Sequence, residues 1–203
     1  MAFDKARFFD ACRKGVMGPV LDQDEVTGAE LIVDAMAGLP ISWVAYALAT
    51  AWHETAHSMK PRKEIGSRRY FTRLYDVEGQ NPGRARRMGN RMPGDGPKYC
   101  GRGFVQLTWK DNYSRAGKEL GVDLARYPDK AMEPGIAADV MRLGMCEGWF
   151  TGKALKHYLP ESGWASIGDF RKARRIINGT DKATQIARYA LEFQRALAAG
   201  GWE

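Results

Sequence analysis

Apolar positions recur at helical spacing through most of the chain. The stretch from about Asp4 to Lys14 reads as an opening amphipathic helix. The capping-box spelling Thr27 to Glu30 predicts a second helix running to about Ala37. A third, almost wholly apolar helix is expected from about Ser42 to Ser58, with Pro40 before its start and Pro61 marking its end. From Lys63 to Tyr75 the pattern turns to short aromatic and polar alternation, and Gly101 to Thr108 looks similar, which predicts a small antiparallel sheet. Helices are then expected over Trp109 to Leu120, Pro134 to Trp149, Ser166 to Ile177 and Lys182 to Leu197, with a turn at Asn178-Gly179. The class is mainly α with a small β element.

The length of 203 residues is enough for one sizeable core, so a single catalytic domain over 1–203 is expected, in two lobes at most. No repeat, low-complexity tract or long linker marks off a separate wall-binding module. Ala35 to Trp52 is free of charge for eighteen residues, near the length of a membrane span. Gly38, Pro40 and Ser42 interrupt it, which favours a buried core helix. The C-terminal helix carries Ile186, Leu191, Phe193 and Leu197 beside Arg188 and Arg195, and either packs on the core or lies on lipid.

Composition adds charge and redox context. A net charge of +7 attracts polyanions, and it is concentrated in Arg84-Arg86-Arg87-Arg91 and Arg171-Lys172-Arg174-Arg175. These basic residues are not interleaved with aromatics in a recognised nucleic-acid pattern, so no nucleic acid is expected as partner. Contact with an anionic membrane is a further expectation. Cys12, Cys100 and Cys146 make neither a metal spacing nor a complete disulfide set. The charged start MAFDKARFFDACRKG lacks the apolar run of a signal peptide, which predicts synthesis in a cytoplasm.

The stretch AWHETAHSMKPRKEIG admits two chemistries. His53, Glu54 and His57 spell H-E-x-x-H, a zinc-protease pattern. Its third ligand is missing from the usual place, because Lys60 and Lys63 stand where glycine and histidine belong in the extended motif. Alternatively, Glu54 and Glu64 form an acid/base pair for glycosidic cleavage. Glu54 falls in the last turns of an apolar helix, where the dipole and the core both favour a protonated carboxyl. Glu64 follows Lys60, Arg62 and Lys63, which favour the ionised form, so the pair has the divided environment that one proton donor and one base require. In YCGRGFVQLTWKDNY, Gly101 and Gly103 allow close backbone approach, while Gln106, Thr108, Asn112 and Tyr113 supply the amides, hydroxyls and rings of a carbohydrate groove.

These segments, with RMGNRMPGDGPKYCGRGFVQLTWKDNY, EPGIAADVMRLGMCEGWFTG and ARRIINGTDKA, resemble glycoside hydrolase family 19, the chitinase-like group that includes many bacteriophage endolysins. The resemblance covers nearly the whole chain, and G-R-G-x-x-Q-L-T-x-x-x-N-Y is its specific part. It implies a bilobal, mainly helical, lysozyme-like α+β fold with a groove between lobes, Glu54 as general acid, Glu64 as general base and Thr108 holding the attacking water. It implies that Gln106, Asn112, Tyr113 and Asn178 line the groove, with Arg102 and Tyr99 near it. Plant-type members place the second carboxylate further along, which makes Glu78 or Asp76 the fallback. Members also vary after H-E-T-A, so His57 does not by itself signal a metal. The expected enzyme is a monomer without cofactor or metal. It cleaves β-1,4 bonds of peptidoglycan by inversion, and reaches the periplasmic wall after release from a host cytoplasm. A chitinase is the alternative, with a zinc peptidase, a lytic transglycosylase and a non-catalytic binding protein as further rivals.

Overall fold

Local signals set the element order in the computed structural model, which describes residues 3–202. The chain runs through α1 (Lys5–Lys14), α2 (Gln23–Ala35), α3 (Ile41–Glu54), β1 (Arg62–Lys63), α4 (Arg68–Tyr75), α5 (Pro82–Arg87) and α6 (Asp95–Lys98). It continues through β2 (Arg102–Gly103), α7 (Lys110–Leu120), α8 (Pro134–Glu147), α9 (Ile167–Ala173) and α10 (Ala183–Ala199), with 3₁₀ turns at Pro128–Met132, Leu155–His157 and Arg174–Ile176. The mainly helical class with one small antiparallel sheet is as the sequence predicts.

The chain divides into two compact units, one of Met1–Lys60 with Met141–Glu203 and the other of Pro61–Val140. In the first unit α3 packs along α10, which also receives α1 and α9, while α2 lies on α3. Val44 to Ala49 and Ala51 of α3 are all fully buried, as expected of a helix that is apolar on every side. Among the described residues no helix is long and apolar enough to cross a membrane. The core face of α10 is formed by Ile186, Phe193 and Leu197, each without exposed surface, so its apolar stripe is spent on packing. Gln194 lies in that core, and its amide both donates to and accepts from the Ala165 backbone, at 3.1 and 3.0 Å. A buried amide is tolerated on those terms.

Three helix boundaries differ from the sequence reading by about a turn, one of them the end of α9 at Ala173 rather than Ile177. The second helix starts earlier, because Asp22 and Glu25 form the capping box in place of Thr27 and Glu30. Gly28 thus falls inside α2, where a Cβ would meet the Met59 carbonyl oxygen at 1.9 Å, so this glycine allows α2 to close on the turn behind α3. The third helix stops at Glu54 rather than near Ser58.

In the second unit the sheet is two residues long on each side, pairing Arg62 with Gly103 and Lys63 with Arg102. The stretch Arg68–Tyr75, expected to be extended, is helical. Ser67 caps it by accepting from the Tyr70 N–H at 3.1 Å, and Phe71 stacks on Tyr75 one turn later, so the aromatic spacing has a helical period. The short helices α5 and α6 went unforeseen. Buried Asp76, one of the fallback carboxylates, accepts from the backbone N–H groups of Gly94 and Gly96 at 2.9 and 2.8 Å and fixes the loop into α6. Its lone pairs are engaged in structure, whereas Glu78 is exposed.

Candidate active site

In the first unit the site begins where α3 ends. Thr55 caps the helix, and Ala56 and His57 take left-handed φ values of 53° and 70°. The His57 N–H returns to the Trp52 carbonyl at 2.8 Å and the Ala56 N–H to that of His53 at 3.2 Å. These are the two bonds of a Schellman stop, with Ala56 where glycine is usual. The Thr55 hydroxyl secures it by donating to the Ala51 carbonyl at 2.8 Å and accepting from the Met59 N–H at 2.9 Å.

The stop decides the H-E-x-x-H question geometrically. Because the helix ends at Glu54, His57 is not one helical turn above His53. Its ring stacks on Trp52 with centroids 4.7 Å apart, and its Nε2 lies 3.2 Å from the Tyr189 hydroxyl. Among the described residues no three His, Cys, Asp or Glu side chains converge as a metal site would require.

Glu54 keeps part of its side chain, 19%, open to solvent, while the Arg174 guanidinium is 2% exposed and donates from Nη1 to Oε1 of Glu54 at 2.8 Å. The Nε of Arg174 donates to the Asp181 carbonyl at 3.0 Å, so the guanidinium is held at both edges. This partner was missed. Sequence reading counted Arg174 as one of a basic surface cluster, yet Phe170, Ala173 and Ile176 are buried at helical spacing around it, and an arginine within such a stripe is the available signal. Tyr46 and Thr50, two turns and one turn before Glu54, bury their hydroxyl oxygens, that of Tyr46 beside Thr50 and the Arg174 guanidinium. Asn178 is exposed, with its backbone N–H on the Arg174 carbonyl at 3.0 Å.

Burial holds His53 below the ordinary imidazole value of 6.5, with Arg174 and His57 pushing the same way and Glu54 opposing. Below that value the unfolded chain binds more protons than the folded one, so stability is expected to fall as pH drops from 6.5 towards the folded value. Thermal midpoints from pH 7 to 5 should decline less steeply in His53→Asn than in the parent. Parallel slopes would remove His53 from the account.

In the second unit Glu64 is fixed by two donors and its own backbone. Oε1 accepts from the Tyr75 hydroxyl at 3.0 Å, Oε2 accepts from the Gly101 N–H at 3.1 Å, and the Glu64 N–H donates to the Gly101 carbonyl at 2.8 Å. A Cβ on residue 101 would stand 2.7 Å from Gln106 Oε1 and 3.2 Å from Glu64 Oε2, so glycine is what permits this approach. Burial, followed by the Glu64 charge, pushes the Tyr75 phenol well up, which keeps it a donor. Tyr75→Phe removes that bond, and since hydrogen bonds to charged groups contribute about 1.5–3 kcal/mol, turnover should drop by roughly tenfold or more. Steady-state rates on a glycan substrate test this, and an unchanged rate would mean Tyr75 does not position Glu64.

Residues from the specific motif divide into two groups. Gln106, Thr108 and Asn112 are half-buried. Gln106 (φ 54°) donates to the Arg62 and Gly103 carbonyls at 3.0 and 3.2 Å, Thr108 donates to the Gln106 carbonyl at 2.7 Å, and Asn112 donates to the Thr108 carbonyl at 2.9 Å. Tyr99, Arg102 and Tyr113, expected in or near the groove, are 2%, 2% and 0% exposed. Arg102 donates to Asp129, to the Lys98 and Cys100 carbonyls and to the Tyr113 hydroxyl, and Tyr99 donates to the Ala125 carbonyl. These three therefore shape the segment from within rather than offering a ligand surface, because burying a guanidinium demands this many acceptors.

The fold and part of the sequence match known proteins. Residues 43–156 match the family model "Chitinase class I" of glycoside hydrolase family 19, a span that includes Glu54, Glu64 and the 99–113 segment but not Arg174 or Asn178. Chitinase C from Streptomyces griseus HUT6037 superimposes with a TM-score of 0.60 at 20% identity, covering 97% of this chain and 76% of that one. A bacterial family 19 chitinase gives 0.54 at 20% identity over 99% and 96%. The fold is thus of the mainly helical, lysozyme-like class. Chitinase 11 of Oryza sativa subsp. japonica is 35% identical over 100 residues, 48% of this chain and 38% of its own length. Basic endochitinase of Vitis vinifera is 35% identical over 86 residues, 40% and 26%. This chain belongs to glycoside hydrolase family 19, although its matched stretches span well under half of those curated relatives.

Proposed function

We propose that this chain hydrolyses β-1,4 bonds between amino sugars in peptidoglycan, with inversion at the anomeric carbon. The observation that carries the reading is Glu54, a partly open carboxyl held by a buried arginine at the end of an otherwise apolar helix. Glu54 delivers its proton to the glycosidic oxygen as the C–O bond breaks. Glu64, oriented by Tyr75 and Gly101, takes a proton from water, and the resulting hydroxyl bonds to the anomeric carbon from the opposite face. Thr108, whose hydroxyl hydrogen is on the Gln106 carbonyl, offers oxygen lone pairs to that water. Gln106, Asn112 and Asn178 contact the glycan. Acid/base chemistry of this kind asks for no cofactor, and the chain works as a monomer.

The net charge of +7 supports an anionic wall polymer over a neutral one. On this reading the enzyme serves lysis of a bacterial host, meeting the periplasmic wall after release from the cytoplasm, with its basic surface also in contact with anionic membrane. The names of the relatives, endochitinase and chitinase, favour a second reading on N-acetylglucosamine polymers. Mass spectrometry of products from purified peptidoglycan and from colloidal chitin separates the two and identifies the bond, and anomeric NMR reads the stereochemistry. Release of soluble sugar from chitin alone overturns the peptidoglycan assignment, and an anhydro end overturns hydrolysis.

A further inference from the structure

The second unit carries a pocket of about 1050 Å³ that the chemistry above leaves unused. It is lined on one side by α4, through Arg68, Arg69, Tyr70 and Arg73, and on the other by Glu78, Gly79 and Gln80. Its volume is at the upper end of ligand sites. The three guanidiniums are exposed, and among the described residues none of them pairs with a carboxylate. Arg73 lies over the Tyr70 ring at 5.7 Å, an arrangement that steadies its planar group. Arginine forks match carboxylates in bidentate fashion. The pocket also holds one acid, Glu78, so its charges are three positive and one negative.

The geometry points to a zwitterionic peptide group as ligand: resting on the peptidoglycan reading, we assign this pocket to the stem peptide of a wall glycan, its carboxylates on Arg68, Arg69 and Arg73 and its free amine on Glu78. A polyphosphate or nucleic acid carries no cation for Glu78 and calls for an extended basic track, whereas the residues lining this pocket all fall within 67–80. Placement suits a substrate arm. The helix that presents the arginines ends in Tyr75, whose hydroxyl holds Glu64, and the rise from Arg68 to Tyr75 is about 10 Å. A peptide seated here belongs to a strand engaged by the same unit that carries the proposed base.

Calorimetry on the full chain tests the assignment, using a purified disaccharide–tetrapeptide with free carboxylates and amine against the same compound with its carboxylates amidated. The parent should bind the free form about tenfold or more tightly. Arg69→Gln/Arg73→Gln should erase that preference, and N-acetylating the amine should weaken binding to the parent but not to Glu78→Gln. Because the changed side chains are exposed, circular dichroism should show an unaltered fold. Equal affinity for both forms, or a preference that survives the double substitution, overturns the assignment. So does tighter binding of a DNA duplex or of phosphatidylglycerol vesicles that the same double substitution abolishes. Hydrolysis of peptidoglycan by the parent is followed in parallel. Carboxylate-dependent binding without hydrolysis upholds the pocket and refutes the proposed activity, while hydrolysis without the preference does the reverse.

Discussion

Glu54→Gln is expected to lose on the order of 10² to 10⁴ in turnover on glycan strands, the usual worth of a placed proton donor. Its fold should survive. Removing one partner of a buried pair costs about 3–5 kcal/mol, but the Glu54 side chain is 19% exposed and a glutamine oxygen still accepts from Arg174, so a loss of about 1–2 kcal/mol is expected. Turbidity loss of permeabilised cells and product release measure the first effect, denaturant midpoints the second. A purified, folded variant that lyses walls near the parent rate would transfer the acid to another group.

Arg174 should be the costliest single truncation. Arg174→Ala removes the bond to Glu54, removes the bond to the Asp181 carbonyl and empties a fully enclosed volume, which together predict about 3–5 kcal/mol of lost stability. Arg174→Lys keeps the charge and much of the stem but cannot reach both acceptors with one planar group. It should regain part of the stability while remaining impaired in turnover. Equal unfolding midpoints for the parent and the alanine variant would show that the pair contributes nothing net.

How much was legible beforehand follows from which interactions are local. Apolar period placed α1, α3, α9 and α10 because it acts over a few residues, whereas the one cap read beforehand, Thr27 to Glu30, gave way to Asp22 and Glu25. The family motif drew attention to Glu54, Glu64 and the 99–113 segment. What remained hidden was set at long range. Arg174 meets Glu54 across 120 positions and Gly101 meets Glu64 across 37, distances over which no local pattern speaks. The aromatic run before Tyr75 was ambiguous in period, and the Ser67 cap with the Phe71–Tyr75 stack resolves it as helix. Tyr99, Arg102 and Tyr113 had the chemistry of ligand contacts, but their burial depended on one another and on the 128–132 turn, which no local pattern shows.

The left-handed turn at Ala56 and His57 acts as a full stop whose position matters more than its spelling. An α-helix advances about 100° per residue, so lengthening α3 by a single position would swing its final carboxyl to a different side of the cylinder. Variation ahead of this stop is therefore expected to accumulate by exchange of residue type, with insertions and deletions between residues 41 and 54 almost unknown among active forms.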